Sequence, residues 1–122
     1  MSAKSGLLGP VPLTAEAIAQ AIPPLSIGAF AVGRMRGGRF YIRMVGRADR
    51  DLAAALADLI GQGGAGGPYD AFKYRTYVST RRAYEKECQL FHTFAPPDSA
   101  THPVRPKGTR FTCPVASCPE SA

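Results

Sequence analysis

The sequence predicts an α+β domain: a β-hairpin, a third strand and two main helices, followed by an extended C-terminal tail. Three observations predict it. Two strand-like runs flank a Gly-Gly turn, a third alternating run lies between two stretches of helical periodicity, and nothing periodic follows the second helix. The chain has 122 residues, enough for one core and too few for two independent domains.

The elements follow in order. Residues 1–12, apolar but broken by Gly9 and Pro10, read as a flexible leader and as a poor secretory signal. A short helix is expected from Ala15 to Ile22, capped by Thr14, with Leu13 stapled onto Ile18 and Pro23-Pro24 as its stop. Strands are expected at Ile27–Arg34 and Arg39–Val45, joined through Met35-Arg36-Gly37-Gly38. In the second, Phe40, Ile42 and Met44 alternate with Arg39, Tyr41, Arg43 and Val45, so Tyr41 is expected to point away from Met44, and Gly46 is expected to break the strand. Asp49 or Asp51 then starts a helix reaching about Ile60, with Leu52, Leu56 and Leu59 on one stripe. Gly61 to Pro68 reads as a mobile glycine loop, and Tyr69 to Val78 as a strand. Ser79 or Thr80 caps a long helix to about Phe94, and residues 95–122, rich in proline, form the tail. Residues 1–25 are thus a leader and short helix, 26–96 the core domain and 97–122 the tail.

Composition narrows the partners. Fifteen Lys+Arg against nine Asp+Glu give a formal charge of +6, which argues for an anionic partner, nucleic acid first. No apolar run approaches the roughly 20 residues of a membrane span. Three cysteines are an odd, small set that fits a reduced, cytoplasmic setting better than a disulfide framework.

Glu87 stands out. On the second long helix Ala83, Tyr84, Leu90, Phe91 and Phe94 form an apolar stripe, with Glu87 near its middle. A carboxylate there must be desolvated and needs a cation or hydrogen bonds in return. An arginine ion pair and a metal-binding or catalytic role (Mg²⁺ or Mn²⁺) are the two readings of its position.

The order of elements, hairpin, helix, strand and a helix carrying one acid, resembles the GIY-YIG nuclease family. Gly28-Ala29-Phe30 falls on its first motif and Met44-Val45-Gly46 on its second, followed by Arg47 and Asp51-Leu52. Ala83, Glu87, Leu90-Phe91 and Pro96 fall on its last segment. The resemblance spans about residues 26–96. It implies a three-stranded, mostly antiparallel sheet flanked by helices, a divalent-metal site at Glu87, and cleavage of phosphodiesters. The chain departs from the pattern where the chemistry resides. Phe30 and Met44 replace the motif tyrosines, and Ala55 stands where the family's helix arginine falls; only Glu87, with Arg47 near a basic position of the family, remains. Hydrolysis needs an activated nucleophile, a cation on the phosphate and neutralisation of developing charge, of which Glu87 alone supplies the metal. Whether the chain is an enzyme is therefore open. The expected function is nucleic-acid binding with cleavage weakened or lost; the alternatives are an active Mg/Mn-dependent, structure-selective endonuclease and a protein-interaction module with a basic face.

Arg34, Arg36, Arg39, Arg43, Arg47 and Arg50 crowd the hairpin and helix entry, and Lys73 and Arg75 alternate on the third strand. With Tyr41, Tyr74 and Tyr77 interleaved, these are the expected contacts to nucleic acid, DNA rather than RNA. Last, Cys88 and His92 sit one helical turn apart, and the tail offers His102, Cys113 and Cys118. Cys88, His92, Cys113 and Cys118 would complete a tetrahedral zinc site of structural type that ties the tail to the domain. Unrelated thiols are the plain alternative.

Overall fold

A computed structural model describes residues 5–121. Strand β1 (Leu8–Pro12) precedes helix α1 (Ala15–Ala21); β2 (Ile27–Arg36) and β3 (Arg39–Ala48) form the hairpin, and α2 (Leu52–Ala57) follows. Two-residue strands β4 (Gly63–Gly64) and β5 (Gly67–Pro68) lead to β6 (Ala71–Tyr77) and α3 (Thr80–Phe94). A 3₁₀ turn at Pro119–Ser121 ends the described chain. Among the described residues no helix is long and apolar enough to cross a membrane.

The main sheet is antiparallel throughout and has four strands, in the order β1-β6-β2-β3. The fourth is a correction: part of the expected leader pairs with β6, Val11 opposite Phe72 and Pro12 opposite Ala71. Gly9 and Pro10 disguised this strand; as an edge it needs few ladder bonds, and its register shifts between Leu8 and Val11. Residues 1–4 of that leader lie outside the described residues.

Helices α1 and α2 cover one sheet face and α3 the other. Leu13, Ile18, Ile22, Phe30, Val32, Leu52, Leu56 and Phe72 form the first core, with Leu13 and Ile18 both buried in it. Thr14 caps α1 by accepting from the Ala17 N–H, and Asp51 caps α2 through the Ala54 N–H. Helix α2 is shorter than its leucine stripe implies, because the chain tightens into three-residue turns after Ala57, with Leu59, Ile60 and Gln62 donating to Leu56, Ala57 and Leu59. On the other face Ala31, Val45 and Leu90 pack with Phe40, Ile42, Phe91 and Phe94.

That membership overturns the parity expected for β3. Pairing shifts from Val32↔Met44 to Gly33↔Ile42, a bulge that inserts Arg43 and turns Phe40 and Ile42 onto the α3 face, while Met44 joins the opposite core. The parity that set Tyr41 against Met44 does not carry across it. Gly33 permits the bulge: a Cβ there would collide with the Tyr41 carbonyl oxygen. Gly33→Ala is expected to cost about 2 kcal/mol through this overlap; an unchanged melting temperature would be incompatible with the bulge. The hairpin turns on Gly37 and Gly38, both at positive φ (57° and 78°), as a primed turn requires.

Gly46 does not break β3. It pairs with Phe30 inside the ladder, and the Phe30 ring lies where a Cβ would stand, 2.5 Å from the ring's Cζ. The glycine loop is likewise ordered. Arg34, only 7% exposed, donates from its guanidinium to the carbonyls of Gly64, Gly67 and Pro68 and holds the β4–β5 hairpin.

The tail has little regular structure, as expected, but its start is fastened to the hairpin. Asp98 N–H donates to the Arg43 carbonyl at 2.7 Å, and Val45 N–H donates to Ser99 Oγ. The Asp98 carboxylate takes Arg43 at 3.1 Å and the Tyr69 hydroxyl at 2.9 Å. Burial, then that hydrogen bond, push Tyr69 up to about 12.

Candidate metal centre and its neighbours

Helix α3 carries the site. Ser79 caps it by accepting from Arg82 N–H, and Ala95, in the left-handed region at φ 43°, ends it ahead of Pro96. Its last turn presents His92. The tail returns past this turn and brings His102, Cys113 and Cys118 to it, so that one donor atom from each of the four lies within 4.8 Å of all the others. These residues lie close enough together to hold a metal ion, and they are the one such group of three or more His, Cys, Asp and Glu among the described residues.

The spacing-based set and the gathered set share His92, Cys113 and Cys118 and differ in the fourth member. The fold supplies His102 where spacing pointed to Cys88. Cys88 is fully buried between Tyr84 and Cys113, in a small cluster with Cys118, and burial pushes its thiol up to about 12. Outside the gathered four, it packs as a small apolar group in this cluster.

His102 is built as a ligand. Its Nδ1 lies 2.8 Å from the Pro103 carbonyl oxygen, which can only accept, so Nδ1 carries the proton. In the neutral ring Nε2 then offers a lone pair, and it is a buried side-chain polar atom without a hydrogen-bond partner. A metal-ligating imidazole shows this arrangement, one nitrogen anchored on a carbonyl and the other free. The rings of His92, His102 and Phe91 meet edge-on or tilted at centroid distances of 5.3–5.5 Å, which holds both imidazoles in place. Glu120 N–H donates to Cys118 Sγ at 3.4 Å, a contact that favours a thiolate. Two sulfurs and two imidazole nitrogens suit zinc, and four protein donors make a closed site with no position for a reacting water.

Beside this centre stands Glu87. Arg47, on β3, donates from Nη1 to Glu87 Oε1 at 2.8 Å and from Nε to Asp49 at 2.8 Å; its Cζ lies 5.3 Å from the centroid of the Tyr84 ring. Burial raises the Glu87 carboxyl above its ordinary range, against the hydrogen bond and charge of Arg47. Of the residues placed on the nuclease motifs, Arg47 and Glu87 meet here and three others do not. Phe30, Met44 and Ala55 pack in the core under α1 and α2, on the sheet face opposite to Glu87 and Arg47.

The arginines divide into two groups. Arg34, Arg43 and Arg47 serve internal carbonyls and carboxylates, and Arg36 lies 3.6 Å from Asp70. Arg39, Arg50 and Arg75 are exposed, Lys73 is half-buried, and none of these four pairs with an acid among the described residues. Sequence reasoning counts His102 among the donors the tail offers but gives the fourth place to Cys88. No family model, no curated protein and no solved structure matches the chain. The nuclease resemblance therefore rests on its motifs alone.

Proposed function

We propose that this protein is a nucleic-acid-binding domain related to the GIY-YIG nucleases, with phosphodiester cleavage weakened or lost and its tail fastened by a structural zinc. The engagement of Glu87 carries the reading. The one acid on the family's metal position is bound to Arg47 at 2.8 Å, and no tyrosine or arginine stands at positions 30, 44 and 55 to activate water or neutralise phosphate. Element order lends support: hairpin β2–β3, helix α2, strand β6 and helix α3 follow as the resemblance implies. The uncompensated cations support binding, and the donor chemistry of His92, His102, Cys113 and Cys118 supports zinc.

The test measures binding and cleavage together, on labelled single-stranded and branched DNA with Mn²⁺ or EDTA. The expected result is an affinity that falls steeply with salt and no product in any lane. Product formed with Mn²⁺ and abolished by Glu87→Gln would make the protein an active endonuclease, in which Arg47 must release Glu87 to the metal. Absence of binding at low salt would leave a protein partner for the basic face.

A further inference from the structure

The cations that lack acidic partners are not scattered. Residues 73, 75 and 77 of β6 stand opposite Ala31, Ala29 and Ile27 of β2, and so share the sheet face that α3 covers. Arg82 and Lys86, one turn apart on α3, flank the same row. Arg75 donates to the Gly6 carbonyl at 3.2 Å, and a Cβ on Gly6 would meet Lys86 Nζ at 2.9 Å, so the two cations lie on either side of one residue. At one end Arg75, Tyr77 and Arg82 line an open cleft of about 570 Å³. At the other, Lys73 and Arg39 line a larger one of about 930 Å³, with Lys73 Nζ 5.6 Å from the centroid of Phe40.

We propose that this row, Arg82–Arg75–Lys86–Lys73, is a track that holds an extended single strand of DNA, with bases received in the two clefts. The proposal rests on the nucleic-acid-binding reading and assigns it a place and a substrate form. Charge complementarity is the first support. Four cations follow one line without an ion pair among the described residues, and Lys86 is held below its ordinary pKa by burial and by the charge of Arg75. Such crowding is unfavourable in the free protein and is relieved by a polyanion.

The second support is the character of the clefts. The smaller has Leu25 and Val78 at 74% and 97% exposure beside Tyr77. The larger offers Met35, Phe40, Tyr41 and Phe94. Apolar and aromatic surface beside arginine forks suits the faces of unstacked bases, which a duplex conceals. Spacing is the third. Alternate residues on a strand are about 6.8 Å apart, so Lys73, Arg75 and Tyr77 span about 14 Å, and with the clefts at either end the track matches a site of about four nucleotides.

Anisotropy of a fluorescent oligothymidylate tests the track. Arg75→Ala/Arg82→Ala is compared with Lys107→Ala/Arg110→Ala, which removes the same charge from the tail. The track variant is expected to bind at least tenfold more weakly, with the slope of log K against log salt shallower by about 1.4, the value for two phosphate contacts on a single strand. The tail variant is expected to change less than threefold, and both are expected to melt like the wild type because their side chains are exposed. Equal losses in the two variants, or tighter binding to a duplex of the same length than to the single strand, would overturn the track and leave the broader reading standing. Failure of the wild type to bind any nucleic acid would remove both.

Discussion

Withdrawal of zinc is expected to lower the melting temperature by roughly 15 °C and to open the tail to protease. A ligand held at about a thousand times its dissociation constant stabilises by about 4 kcal/mol. For a domain of this size each kcal/mol is worth about 4 °C. Little else holds the tail beyond Ser99. The backbone hydrogen bonds of its later part are local, Thr109 to Pro106, Cys118 to Val115, Cys113 to Glu120 and Ser121 to Cys118. The apolar cluster beneath it is small, formed by Tyr84 and the three cysteines with Phe111 and Val115 at its margin. Lys107 and Arg110 are exposed, so trypsin should cut after them quickly once the metal is chelated and slowly before it. Metal analysis is expected to return one zinc per chain for the wild type and for Cys88→Ala, and much less for Cys113→Ser and His102→Gln. Zinc kept by His102→Gln and lost by Cys88→Ala would restore the set that spacing alone pointed to. Protein purified without zinc, and unmoved by added zinc or chelator, would refute the centre altogether.

The two donor sets show where legibility ended. Local rules were readable because their causes are local. Thr14 and Ser79 cap the helices assigned to them, Gly37-Gly38 turns the hairpin, and Leu90, Phe91 and Phe94 of the α3 stripe pack on the sheet. What failed depended on distant partners. Gly46 reads as a breaker until Phe30, sixteen positions away, is seen to need the space above it. The run GQGGAGGP reads as a mobile loop until Arg34 is found donating to its carbonyls. Residues 8–12 read as leader because an edge strand tolerates the Gly and Pro that a central strand excludes. The β3 bulge leaves no mark on β3; its signal is Gly33, on the neighbouring strand. The metal site follows the same division. Helical spacing placed Cys88 and His92 on one side of α3, and both meet the returning tail, but which tail donors gather with His92 is set by the path of residues 95–113, which has no period to read.

Arg47→Ala is expected to destabilise the protein by about 3 kcal/mol at neutral pH, or about 10 °C, more than any other single arginine of the hairpin. The low end of the range for a buried pair applies because both side chains keep 12% of their surface. The variant loses the contact with Tyr84 and strands Glu87 in the α3 face without a cation. Glu87→Gln is expected to cost less, about 1 kcal/mol, since the amide oxygen still accepts from Arg47 and Asp49 still balances its charge. Joint replacement by Met and Leu should recover most of the loss, because an apolar pair of similar volume leaves no stranded charge. The pH dependence gives the sign. Burial raises the folded carboxyl of Glu87, so its contribution is fully present below the unfolded pKa and is lost as pH rises through the folded value. Without Arg47 that folded value rises further. The deficit of Arg47→Ala against the wild type should therefore be largest near neutrality and shrink as pH falls toward about 4.3, the ordinary glutamate value, below the raised value of Glu87 in both folded proteins. A deficit that held steady while Glu87 became protonated would mean that Arg47 stabilises through Asp49 rather than through Glu87. In that case Glu87 would be a carboxylate free to take a cation, and the nuclease alternative would gain the metal ligand that the ion pair now occupies.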